Sequence, residues 1–400
     1  MVQRKLYLNW MRSYRGTPFI KVLTGLRRVG KSTLLRQFAE SCIDDGTTPD
    51  SLLYIDMESL EFQDLTDGVA LHAKVSDSFQ GVTGMKILLI DEVQEIRSWE
   101  KALNSMLKSG RFDIYITGSN AHLLSSDLAT YLAGRYVQIN VYSLSYAEFL
   151  EFQPESTHSS RLFAEYLQYG GFPGLQHLPA SPEIRFQALN DLYSSIILRD
   201  IVERYAIRNV PLLERIIQFF FDNIGQPVSA RSITAYLKSQ AIKVSVESVL
   251  TYVGYLQSCF ALYQVKRYDI KGKRNLEINE KHYLGDVGLR HAILGYRQGD
   301  IGQLLENVVF LELMRRGYAV SVGMLDDWEI DFIAGKQQEK MYIQVAYLLG
   351  SPETREREFR PLRMVKDAFP KLVLTMDELR QDDAGIRHLY LPDFLLGGGR

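Results

Sequence analysis

The chain has 400 residues, 46% of them hydrophobic and 24% charged, and a formal net charge of −2. That length exceeds one ordinary core and predicts two to four soluble globular domains, while the near-neutral balance excludes bulk charge as an argument for nucleic acid. The two cysteines, Cys42 and Cys259, lie far apart without metal-like spacing, so both are expected to be buried, reduced thiols. No apolar run reaches membrane-spanning length and the first residues lack the apolar middle of a signal peptide; a cytoplasmic chain with no membrane contact is expected.

In chain order, "FIKVLTG", "SLLYIDME", "KILLIDE", "FDIYITGS" and "YVQINVYSL" read as short strands separated by helical stretches up to about residue 140. Apolar runs such as "ILLI" suit strands buried on both faces of a parallel sheet, and strand–helix alternation means βαβ units. Residues 145–222 read as helices interrupted by the "GGFPG" turn. Helices and then a β-hairpin follow to about residue 285. From residue 301 the order is helix, three strands, helix, strand.

The first strand runs into "GLRRVGKST" at residues 25–33, which fits G-x-x-x-x-G-K-[ST] in its required setting between a strand and a helix. Gly25 and Gly30 let the backbone curl so that N–H groups, including those around Arg28 and Val29, face phosphate oxygens. The following helix, opening at Ser32 and Thr33, adds the positive end of its dipole. Lys31 is placed to reach the β- and γ-phosphates and Ser32 to ligate Mg²⁺. Arg27 and Arg28 are unusual inside such a loop. "KILLIDE" carries Asp91 and Glu92 to the carboxyl end of a buried strand beside that loop. Asp91 is expected to hold Mg²⁺ through water, and Glu92 to orient and deprotonate the attacking water. "IYITGSN" ends in Ser119 and Asn120, either of which could sense the γ-phosphate. Arg135 in "LAGRY" could offer a guanidinium to a γ-phosphate, its own or a neighbour's.

"GLRRVGKST", "LLIDEVQEI", "YITGSN", "LAGRY" and "SLSYAEF" in this order, with "YGGFPG", "LYSSIILRDIVERY", "YLGDVGLRHA", "EIDFIA" and "YIQVAY" further on, resemble one known group. It is the prokaryotic AAA+ ATPases that carry a C-terminal domain of unknown function with a winged helix and a restriction-endonuclease-like fold. The resemblance implies ATP and Mg²⁺ as cofactors and supports Lys31, Ser32, Asp91 and Glu92 in the roles above. The expected fold is α/β: a P-loop NTPase (AAA+) core over residues 1–144, a helical lid over 145–210, a winged helix-turn-helix over 211–290, and a degenerate restriction-endonuclease-like domain over 291–400.

Ser229 and Ser245 each cap a helical run, and "ALYQVKRYD" and "NLEINEKHYL" form a hairpin after them. The second helix is poor in residues that read base edges. The wing offers Lys266, Arg267, Lys271, Lys273 and Arg274, which could grip DNA or RNA phosphates; packing on another protein or on the chain's own ATPase is the alternative. In the last segment Asp331 matches the first metal-binding acid of a restriction-type nuclease, Glu306 an accessory acid on the preceding helix, and Glu329 shares a strand face with Asp331. Gln344 stands where a carboxylate is wanted and Ala346 where a lysine is wanted. The expectation is a nucleotide-driven switch or remodeller whose nuclease chemistry is lost. An ATP-gated nuclease using Glu306, Glu329, Asp331 and Gln344, or a scaffold with a nucleotide sensor, are the alternatives; the assembly state is open.

Overall fold

The computed structural model describes residues 2–119, 134–153 and 157–398. The chain divides into two compact units, Met1–Val141 and Tyr142–Arg400.

In the first unit β1 (Ile20–Thr24), β2 (Leu52–Asp56), β3 (Lys86–Asp91), β4 (Phe112–Gly118) and β5 (Tyr136–Asn140) form one sheet in the order β2-β3-β4-β1-β5. Every pairing is parallel, and the register sets Asp56 against Asp91 and Thr24 against both Gly118 and Asn140, so the carboxyl ends share one edge. Ile87–Ile90 are buried because helices cover both faces, which is why this strand reads as an unbroken apolar run. At the opposite edge Lys21 and Asp113, both buried, pair at 2.5 Å, and Asp113 also accepts the Gly16 N–H at 3.0 Å. That pair fastens the residues after the N-terminal helix Lys5–Ser13 to the sheet.

The second unit begins with helices Tyr146–Glu151, Ser160–Tyr169, Pro182–Ile197 and Val210–Asp222. The "GGFPG" turn is a clasp. Asp286, buried, accepts the Gly171 N–H and the Gly288 N–H, each at 2.8 Å, so it fastens the turn while capping the helix Val287–Leu294. Gly170 has φ +74°, and a Cβ there would lie 1.9 Å from Asp286 Oδ1. The motifs "YGGFPG" and "GDVGLR" therefore close on each other.

Helices Ala230–Ser239 and Val246–Ser258 start at the Ser229 and Ser245 caps. The strands that follow join a single sheet. With β6 (Pro227–Val228), β7 (Leu262–Asp269), β8 (Arg274–Leu284), β9 (Ala319–Leu325), β10 (Trp328–Lys336), β11 (Glu339–Val345), β12 (Lys371–Thr375) and β13 (Arg387–Tyr390), the order among the described residues is β13-β12-β11-β10-β9-β7-β8-β6. The boundary expected near residue 290 thus falls inside one hydrogen-bonded sheet: β7 pairs parallel with β9, Arg267 to Val322 through Asp269 to Met324. The helix Ile301–Arg315 is buried on nearly every side, down to Asn307, Glu312 and Arg315. Asn307 accepts the Leu284 N–H at 2.7 Å and donates to the Leu284 carbonyl at 3.1 Å, so a side-chain amide completes the end of β8.

Candidate functional site

The loop after β1 has the conformation its glycines predict. Gly25 has φ +147°, and a Cβ would meet the Val141 carbonyl oxygen at 2.0 Å. Arg28 (φ +67°) and Gly30 (φ +96°) are left-handed within the turn, and such alternation makes successive N–H groups converge on an anion. Gly30 also caps the helix Lys31–Asp44, whose N-terminus therefore opens on the loop. Val29 is buried, and its carbonyl accepts from Arg4 at 2.9 Å. The buried Lys31 ammonium donates to the Gly25 and Leu26 carbonyls at 3.0 and 3.1 Å, which holds it across the loop. Ser32 is half-buried; Thr33 is exposed on the helix's outer side. Arg28 points to solvent, while Arg27 pairs with Glu58 at 3.3 Å beyond β2.

Asp91 closes β3, 3% exposed. Burial raises its pKa, and hydrogen bonds from the Thr117 and Ser32 hydroxyls offset part of that rise. Tyr54 adds a weak hydroxyl contact at 3.4 Å. Ser32 and Asp91, far apart in sequence, thus meet as a divalent cation held beside phosphates requires. Glu92 adopts φ +52°, which turns it out of the strand; its N–H donates to Thr117 Oγ1 at 2.9 Å. The Gln94 amide donates to the Glu92 carboxylate. Ser119, at the end of β4, is buried, and Asn120 lies outside the described residues. The donor set of glycines, lysine, serine and aspartate fits ATP with Mg²⁺.

Arg135 lies away from the loop. It precedes β5, whose Tyr136 pairs with Ile20 at the amino end of β1, and its carbonyl accepts the Ile20 N–H at 2.9 Å. It therefore stands at the sheet edge opposite the loop, about 16 Å away at ~3.3 Å per residue. Parallel register forbids its reaching a γ-phosphate bound by its own chain; only a second copy's nucleotide is left to it.

The residues of the expected second metal site do come together, around a group sequence reasoning missed. Lys281 on β8, 4% exposed, lies 2.9 Å from Glu306, 2.8 Å from Glu329 and 3.6 Å from Asp331. Tyr283 on the same strand donates its hydroxyl to Glu306. A register shift in β10 between Ile330 and Ile333 falls at Asp331, and such bulges re-aim side chains. Asp331 Oδ2 accepts the Val345 N–H at 2.9 Å, and Gln344 Oε1 accepts the Asp331 N–H at 3.3 Å, so Gln344 is turned to backbone. Burial works against the Lys281 ammonium, but Glu306, Asp331 and Glu329 outweigh it and hold its pKa above the ordinary value. Burial and the Glu306 charge raise the Asp331 pKa, and the Lys281 ammonium pulls against them. Among the described residues no group of three or more acidic, histidine or cysteine side chains is arranged to hold a metal ion. The available signal was a lysine inside the β-rich run "INEKHYL", where a solvated side chain is not expected.

The basic wing is also largely answered by acids. Lys271 pairs with Asp326 at 2.6 Å and Arg274 with Asp269 at 3.8 Å, while Arg267 is mostly buried, 4.0 Å from Glu329. Lys266 and Lys273 are exposed.

Among the described residues no helix is long and apolar enough to cross a membrane. A family profile described as an AAA domain matches residues 17–150, and one described as a domain of unknown function matches residues 160–300. The chain is 29% identical over 364 residues to an uncharacterized protein of Methanocaldococcus jannaschii, covering 87% of this chain and 79% of that one. Against the solved AMPPCP-bound DnaA of Aquifex aeolicus it is 12% identical with a TM-score of 0.34, covering 64% of this chain and 92% of that one, a likeness too loose to argue from. An uncharacterized protein of Haemophilus influenzae is 38% identical over 400 residues, covering 99% of each chain. The chain therefore belongs to one family with that Haemophilus influenzae protein, and its N-terminal unit is a P-loop AAA+ core.

Proposed function

We propose that the chain binds ATP with Mg²⁺ and hydrolyses it, using the cycle as a switch or remodeller. The observation that carries this reading is the convergence of Lys31, Ser32, Asp91, Glu92 and Ser119 on one edge of the parallel sheet, beside a loop in which a Cβ at Gly25 would strike the Val141 carbonyl and Gly30 is left-handed. Bound Mg²⁺ would supply charge neutralisation across the β- and γ-phosphates. Lys31 exchanges its loop carbonyls for phosphate oxygens. Ser32 and, through water, Asp91 would hold the cation, Thr117 orients Asp91, and Glu92 would accept the proton of the attacking water. Gln94 steadies that carboxylate. Phosphate release tests the reading: Lys31→Ala should abolish it, and unchanged turnover in both Lys31→Ala and Glu92→Gln would defeat it.

Within this proposal residues 145–210 serve as a helical lid, 211–290 as a winged helix and 291–400 as an endonuclease-like fold without cleavage chemistry. The two serine-capped helices followed by a hairpin, and the helix–three strands–helix–strand order, support those assignments. The protein is proposed to act in the cytoplasm. An ATP-gated nuclease is disfavoured, because Lys281 already engages the acids such an enzyme would spend on metal.

A further inference from the structure

We propose that Lys281 is the resident cation of the acidic centre in the second unit. It holds the place a divalent metal takes in restriction-type nucleases and lets this unit stand without metal. The inference rests on the endonuclease-like reading for the comparison alone; the contacts themselves are independent of it and of the nucleotide site.

Three carboxylates from two elements face one ammonium from a third. Glu306 comes from the helix Ile301–Arg315, Glu329 and Asp331 from β10, and Lys281 from β8. The nitrogen–oxygen distances of 2.9, 2.8 and 3.6 Å are those of ammonium contacts. A divalent ion would need the same oxygens at roughly 2.0–2.6 Å. Two further donors reach these carboxylates. Tyr283 donates to Glu306, and the Val345 N–H donates to Asp331. Gln344, the neutral residue at the position of a metal-binding acid, accepts the Asp331 N–H instead of facing an ion. Gly225, with φ +69°, brings backbone so close to Glu306 that a Cβ would sit 3.1 Å from its carboxylate, which confines that side chain further.

Lys281 is not a loosely tethered plug. Its residue pairs with Val265 on one side and Pro227 on the other. That pairing on both sides fixes the backbone from which the side chain projects. The ammonium also offsets carboxylates that would repel one another in a site only 4–31% exposed. Gln344 on β11, Ala346 just after it and Lys281 on β8 then describe one arrangement: the acids face an ammonium carried three strands away from β10 in the sheet order.

The test uses the full chain carrying Lys31→Ala, so that the P-loop contributes little metal response, without nucleotide. Thermal unfolding is followed with added MnCl₂, added MgCl₂ or EDTA, in parallel with Mn²⁺ titration calorimetry. With Lys281 present the midpoint should be unmoved by metal or chelator. Lys281→Met should unfold at lower temperature and should regain midpoint when Mn²⁺ is added, a gain that Asp331→Asn removes. Should Lys281→Met fail to fold, Glu329→Gln, which leaves Glu306 and Asp331 on the ammonium, should fold and remain indifferent to metal. The proposal is overturned if Mn²⁺ stabilises the chain that retains Lys281 and Asp331→Asn cancels that effect. It is equally overturned if Lys281→Met melts with its parent, or folds but binds no Mn²⁺.

Discussion

Gly25 shows how little room the phosphate loop leaves at the scale of a single atom. With φ +147° and the Val141 carbonyl 2.0 Å from where a Cβ would sit, Gly25→Ala must move backbone, and nucleotide binding measured by fluorescent-nucleotide titration should fall below detection. Glu92→Gln keeps the shape and removes the base: ATP should still bind, while turnover in a phosphate-release assay drops by about 10²–10⁴-fold. These residues were legible in the sequence because each belongs to a short contiguous pattern. Thr117, which bridges the Glu92 N–H and Asp91, carries no such pattern; a threonine in a β-rich run looks like any other strand residue. Arg135 is the opposite case. Its sequence left its own or a neighbour's γ-phosphate open, and only the parallel register of β5 on β1 shows that it stands at the edge away from its own chain's loop.

Elements were read well where their signals are local, as at the Ser229 and Ser245 caps, and poorly where partners are distant. The turn at residues 170–174 was recognisable as a turn but not as half of a clasp, because its acceptor Asp286 lies more than a hundred residues on. Gly170→Ala would put a methyl group 1.9 Å from Asp286 Oδ1 and should unfold this region at lower denaturant, read by urea melts. Asp286 also has a pH signature. Burial raises its carboxyl pKa from 3.8 to about 6, despite hydrogen bonds from Gly171, Ser143 and Gly288. The folded state then holds a proton that the unfolded state has released. This contribution to stability is fully present below pH 3.8, falls as pH rises, and is gone above about 6. The swing is roughly 3 kcal/mol, and the difference between the parent and Asp286→Asn unfolding free energies across that window measures it. In the other unit Asp113→Ala would strand Lys21 as a buried charge, at a cost of roughly 3–5 kcal/mol in a denaturant melt.

For the molecule as a whole, the wing decides how strongly nucleic acid could be held. Lys271 and Arg274 are exposed but paired with acids and Arg267 is mostly buried, which leaves Lys266 and Lys273 as the exposed wing cations with no acid paired to them among the described residues. Two phosphate contacts imply a slope of only about −2 in log affinity against log salt, and Lys266→Glu with Lys273→Glu should abolish what binding there is; fluorescence anisotropy at several salt concentrations reads both. What the sequence by itself determined is the α/β class, the order of helices and strands, and the phosphate loop with its acidic strand end. Those depend on period, caps and glycines within a few residues of one another. Tertiary structure alone decided the rest. It joined the wing strands to the later strands in one sheet, set Arg135 on the far edge, and brought Lys281 among Glu306, Glu329 and Asp331. Strand register and bulges choose which distant side chains meet in low dielectric, and no short stretch of chain encodes that choice.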